Sequence, residues 1–112
     1  MQHEMNAYLH DIIECCHNIK QFTKDKNYSD YTDDILLKSG VERQFEIIGE
    51  ALRRISQEYP DIFNKVTDAR RIVDFRNLIS HGYDVISDRT VWSIIQNNLD
   101  KLLNECQQLM RS

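Results

Sequence analysis

Arg76-Asn77-Leu78-Ile79-Ser80-His81-Gly82-Tyr83 crowds an arginine, a histidine and a tyrosine onto the end of an otherwise apolar helical segment. Gly82 follows the histidine at once, and glycine lets a chain leave a helix through left-handed backbone angles. With Ile72 at 0° and about 100° per residue, Phe75, Leu78 and Ile79 fall at about 300°, 240° and 340°. Ala69 and Val73 sit at about 60° and 100°, so the apolar arc encloses Arg76 at about 40°, with Ser80 beside it at about 80°. A charged side chain avoids full burial unless it is paired. Arg76 must therefore meet a carboxylate, face a second subunit or line a cleft. His81 would lie at about 180° on a regular helix, so it points elsewhere or the helix ends before it.

Working upstream, Thr67 or Asp68 is placed to cap this helix, and Asp61 to Val66 reads as a short turn or helix with Ile62, Phe63 and Val66 as plugs. Before it, a long helix is expected from near Asp33 to Tyr59, stopped by Pro60. Val41, Phe45, Ile48, Leu52, Ile55 and Tyr59 form its seam, and Gly40 can loosen its start. Gly49 costs roughly 1 kcal/mol against alanine in a helix interior, which the close approach of a neighbouring helix would explain. Glu46 and Glu50 lie four apart, with Arg43, Arg53 and Arg54 nearby. They are either solvated helical ion pairs worth about 0.2–0.5 kcal/mol each or, for Glu50, the carboxylate that meets Arg76.

The chain opens with Met5, Leu9, Ile12, Cys16 and Ile19 at alternating spacings of four and three, widened by Tyr8 and Ile13. That pattern predicts an amphipathic helix from about Gln2 to Thr23. His3, His10 and His17 recur along its flank, but neighbours are about 10.5 Å apart along the axis, too far to share one metal ion. They read as a solvated or partner-facing edge. Lys24 to Thr32 is a polar connection that can hold a helical turn. After the opening stretch, Asp84 to Ile86 connects to Ser87, the expected cap of a last helix running to about Met110. Its stripe is Trp92, Ile95, Leu99, Leu102, Cys106 and Leu109.

The totals agree with one soluble α-helical domain over residues 1–112: 41% hydrophobic, 29% charged, one proline and three glycines. Strand-type alternation is not sustained anywhere, and the expected fold is an all-α antiparallel bundle of four to five helices. Three cysteines (Cys15, Cys16, Cys106) form no Cys-x-x-Cys pair and read as small core residues of a cytoplasmic protein. No apolar run approaches membrane-spanning length, and no signal-peptide pattern opens the chain. A net charge of −4 argues against a general nucleic-acid coat protein while leaving room for a local basic cleft.

Arg-x-x-x-x-His alone is short and recurs by chance in helical proteins. A histidine near a helix C-terminus gains from the macrodipole when charged, and a tyrosine there commonly packs with its hydroxyl in water. The functional reading is phosphodiester chemistry without metal. Histidine exchanges protons near neutral pH, and a guanidinium fork stabilises charge building at phosphorus. RNA supplies its own nucleophile in the 2′-hydroxyl. One chain offers a single such histidine, and residues five apart align poorly on one helix face. A two-fold dimer through the motif helix would gather two arginines and two histidines around one cleft. A glycine-rich phosphate loop, a zinc helix, a calcium loop and a nucleophile elbow are all missing from the sequence.

The motif Arg76 to Tyr83 resembles the Arg-x4-His-x-Tyr signature of HepT-like toxins in the HEPN superfamily. Phe45-Glu46-Ile47-Ile48-Gly49-Glu50-Ala51 resembles that family's "EIIGEA" segment, and Val91-Trp92 its "VW" opening of the last helix. The likeness runs from about Ile35 to Leu103. It implies a HEPN-like bundle that homodimerises around the motif helices. It also implies a metal-independent endoribonuclease, needing no cofactor, that acts on RNA as the toxin of a type VII toxin–antitoxin system. Its cognate antitoxin would be a small MNT-type nucleotidyltransferase, with an assembly beyond the dimer possible in their complex, and no membrane. By position, Arg76 and His81 would be the cleavage pair and Asn77 would assist. Tyr83 would accept AMP from ATP, an addition that would crowd the cleft and occupy the arginine. Asp68-Ala69-Arg70-Arg71 departs from the tryptophan often found before the family's arginine; Arg70 and Arg71 read as exposed surface that can add local positive charge. An alternative is a non-catalytic helical subunit that presents substrate to a separate nucleotidyltransferase.

Overall fold

A computed structural model describes residues 2–81 and 87–111, with the backbone alone at residues 2, 3, 80 and 81. Among the described residues seven helices follow in order: α1 (Gln2–Thr23), α2 (Tyr28–Thr32), α3 (Ile35–Glu58), α4 (Pro60–Phe63), α5 (Ala69–His81), α6 (Asp88–Asn97) and α7 (Leu99–Arg111). There is no strand among the described residues, and the all-α bundle is the architecture.

The first helix obeys its spacing. Met5, Leu9, Ile12, Cys16 and Ile19 are buried, while Tyr8 and Ile13 flank them half-buried. The polar connection then makes a reversal in which Asp25 takes a φ of 60°, left-handed angles that a short polar side chain tolerates. Asn27 and Asp30 form a reciprocal capping box that starts α2. The connection holds the helical turn expected of it as α2, and it also carries Tyr31, which is fully buried there with its ring centroid 5.5 Å from that of Trp92.

The long helix starts at Ile35, two residues later than expected, because the Asp34 carboxylate accepts from the Leu37 N–H at its N-cap. It runs unbroken through Gly40, which lies against the Phe22 ring. Val41, Phe45, Ile48, Leu52 and Ile55 are fully buried, whereas Tyr59 is half-buried at the cap. Pro60 ends α3 and sits in the first turn of α4, where its missing N–H costs no hydrogen bond. Phe63 and Val66 are buried plugs and Ile62 packs against them.

The single last helix expected from Ser87 to Met110 is two helices. The stripe continues across the break, with Ile95, Leu99, Leu102 and Cys106 buried, so spacing alone does not reveal it. The buried Asn98 donates its side-chain amide to Asp68 at 2.9 Å, and its backbone leaves helical angles there with a φ of −122°. Ser87 stands at the N-cap of α6 but makes no side-chain cap hydrogen bond.

α1 packs on α3 and α7, α3 packs on α5, and α2 wedges against α3 and α6. Ion pairs Lys20–Asp100 and Lys38–Asp88 tie α1 to α7 and α3 to α6. All three cysteines are buried and unpaired, as small core residues should be. No helix among the described residues is long and apolar enough to cross a membrane. The helix exit expected at Gly82 and the connection Asp84 to Ile86 lie outside the described residues.

Candidate active site

α5 is anchored by Ala69, Ile72, Val73 and Phe75, all buried. Phe75 meets Phe45 of α3 edge-on, centroids 5.2 Å apart at 85°, an arrangement aromatic quadrupoles favour. Arg76 follows directly on the same face. The two helices close on each other there: a Cβ at Gly49 would lie 2.2 Å from the Arg76 Cβ and 2.3 Å from its Cγ. Only a residue without a side chain fits, which is the reason for a glycine inside α3.

The Arg76 side chain is one-quarter exposed, and its Nη2 reaches Glu50 Oε1 at 3.2 Å. Its Nη1 donates to the Asn77 Oδ1 at 3.2 Å, and its Nε is buried with no hydrogen-bond partner among the described residues. Glu50 is thus the carboxylate that Arg76 required, and it also joins the helical ion pairs. Arg53 grips both its oxygens, Nε to Oε1 at 3.0 Å and Nη2 to Oε2 at 2.8 Å, and Arg54 Nε reaches Oε2 at 3.2 Å. Hydrogen bonds from Arg53 are the chief cause that holds the Glu50 carboxyl down to about 2. The Arg54 hydrogen bond and the charges of Arg53 and Arg76 add to them against partial desolvation.

This cluster forms the wall of an open groove of about 480 Å³ between α1 and α3. Arg43, Arg54 and Arg76 face it together with Asp11, Glu46 and Glu50, so its walls carry both signs of charge. Tyr8 and Asp11 reach it from α1, a contribution that spacing along the chain could not announce.

Of the sequence-predicted site residues, Arg76 and Asn77 are brought together by a hydrogen bond on α5. The helix continues to His81, whose backbone stands about 7.5 Å farther along the axis. The His81 side chain and Tyr83 lie outside the described residues. Leu78, expected inside the apolar arc, is 63% exposed. At the arc's edge it falls beyond the stripe that packing on α3 covers. Arg70 and Arg71 are exposed, and Arg70 lies over the Phe63 ring at 5.3 Å. On the histidine flank, His10 pairs with Glu14 at 3.3 Å and His17 is exposed. The described residues contain no group of three or more metal-ligating side chains.

The family profile described as "Ribonuclease HepT-like" matches residues 12–109. The chain is 31% identical over 104 residues to "Putative RNase MJ1380" of Methanocaldococcus jannaschii, an alignment covering 93% of this chain and 94% of that one. It is 25% identical over 111 residues to "Probable ribonuclease HepT" of Thermococcus cleftensis, covering 99% and 100%. No solved structure matches. A profile that runs through α3, the Arg76 helix and most of α1 and α7 leaves one assignment: the chain belongs to the HepT-like ribonuclease family.

Proposed function

We propose that this protein is a metal-independent endoribonuclease, the toxin of a type VII toxin–antitoxin pair, formed as one bundle domain that works as a homodimer. The observation that carries this reading is Arg76. It is a guanidinium seated on an apolar helix face, oriented by Glu50 and Asn77, with part of its surface still open to a groove. Family membership and the ribonuclease names of the relatives support the same chemistry.

In this reading Arg76 binds the phosphate to be cleaved and stabilises the charge that builds at phosphorus. His81 takes the proton from the ribose 2′-hydroxyl as that oxygen attacks phosphorus. The bond to the 5′-oxygen breaks, and the leaving oxygen receives a proton from the second His81 of the dimer. The products are a 2′,3′-cyclic phosphate and a 5′-hydroxyl. Asn77 assists by holding the arginine. A cognate MNT-type nucleotidyltransferase acts as the cytoplasmic antitoxin by moving AMP from ATP onto the Tyr83 hydroxyl, releasing pyrophosphate.

The test is RNA cleavage with EDTA present. The parent cuts, and Arg76→Ala and His81→Ala each lower the rate at least about 100-fold while the helical spectrum is kept. Variants that cut as fast as the parent defeat the assignment. Intact RNA in the parent reaction, with a stable nucleotidyltransferase complex, favours the non-catalytic subunit instead. Intact mass after incubation with that enzyme and ATP reads the modification: the parent gains AMP and Tyr83→Phe does not.

A further inference from the structure

Arginine side chains are long and flexible, yet Arg76 is fixed at both ends. Its stem lies on the bare backbone of α3 at Gly49, where an added Cβ would overlap Arg76 Cβ at 2.2 Å. The obstructed atom is attached to the α5 backbone, so rotating the side chain cannot relieve the overlap and the helices would have to separate. Its head is gripped by Glu50 Oε1 on one terminal nitrogen and by Asn77 Oδ1 on the other, each at 3.2 Å. Glu50 is itself anchored from its own helix, because Arg53 spans both of its oxygens and Arg54 binds Oε2. The carboxylate is thereby held with one oxygen aimed across at α5.

We infer that Gly49 and Glu50 form the seat of the phosphate-binding arginine, with Glu50 as the positioning residue that sets the direction of the Arg76 fork. This rests on the reading of Arg76 as the cation of RNA cleavage. A guanidinium has five N–H donors. Glu50 faces Nη2 as an ion pair and Asn77 takes an N–H from Nη1, which leaves N–H donors on both terminal nitrogens for two phosphate oxygens. Three guanidinium groups share the Glu50 carboxylate, so the pairing leaves positive charge in excess at that point. Glu50 orients Arg76 without neutralising the cluster. A fork aimed in advance serves the transition state, where displacement by about 1 Å lowers turnover on the order of 100-fold.

The experiment measures steady-state RNA cleavage by the full chain, in EDTA, for the parent, Glu50→Gln, Glu50→Asp and Gly49→Ala, with Arg76→Ala as reference. Circular dichroism and thermal midpoint are recorded for each. Glu50→Gln is expected to stay folded and lower kcat about 10- to 100-fold, with KM for RNA changed less than about threefold. Glu50→Asp, which keeps the charge on a shorter stem, recovers part of kcat. Gly49→Ala loses kcat in the same way. If Glu50→Gln lowers only the thermal midpoint and turns over like the parent while Arg76→Ala is inactive, Glu50 is merely an interhelix tie. The positioning role then fails and the cleavage reading stands. If Arg76→Ala itself cuts like the parent, the cleavage reading fails and takes the seat with it.

Discussion

A carboxylate surrounded by three guanidinium groups keeps its charge in acid, and Glu50 does so down to about 2 from an ordinary value of 4.5. Its folded-state proton affinity is depressed, so the stability it adds is complete above about pH 4.5 and is lost as pH falls through about 2. Glu50 is about one-third exposed, so solvent screens the cluster and the contribution is small. The gap in thermal midpoint between the parent and Glu50→Gln is therefore expected to be widest above pH 4.5 and to close toward pH 2. A gap that stays constant through that window would assign the difference to packing instead of charge. The thiols behave in the opposite sense. Burial pushes Cys15 up to about 11 and Cys106 up to about 12, so they remain neutral fillers.

Short elements show how little local propensity decides. A five-residue helix such as α2 has no stability of its own. It persists because the Asn27–Asp30 box closes its first turn and Tyr31 drives its ring against Trp92. The Tyr31 hydroxyl is buried with no hydrogen-bond partner among the described residues, and burial pushes its pKa up. The ring stabilises the fold and the hydroxyl opposes it. Tyr31→Phe should leave stability unchanged or raise it by up to about 1–3 kcal/mol, whereas Tyr31→Ala should lower it by about 3–5 kcal/mol. Urea unfolding measures both, and a phenylalanine variant as weak as the alanine one would show that the hydroxyl is satisfied after all. The α6–α7 break has the same character. A tertiary hydrogen bond from Asn98 to Asp68 sits at the break, and no proline or glycine marks the place.

The molecule measures 42 × 30 × 19 Å, and its shortest dimension is about two helix diameters. In so thin a bundle each long helix keeps an outer face, and on α5 that face shows Leu78, two residues beyond Arg76. The proposed dimer buries this leucine and brings two copies of the motif around one cleft. Leu78→Arg is therefore expected to shift the particle toward monomer in analytical ultracentrifugation, with helix content unchanged, and to lower RNA cleavage in parallel. A monomeric parent, or a Leu78→Arg variant that stays dimeric and active, would move the interface elsewhere.

Helical periodicity is a local property, so the spacing of apolar residues by itself determined the long helical segments, most of the core and the all-α class. The ordered motifs likewise carried the family, because they are runs of neighbouring residues. Arg76 was legible as a misfit, a charge inside an apolar arc that had to be compensated. Which group compensates it was decided only by tertiary structure, since Glu50 lies on another helix and meets Arg76 because Gly49 lets the two backbones close. The same reason covers the buried Tyr31, the break at Asn98 and the exposed Leu78. Each depends on which helix lies opposite, and that is set by how all the apolar stripes pack at once.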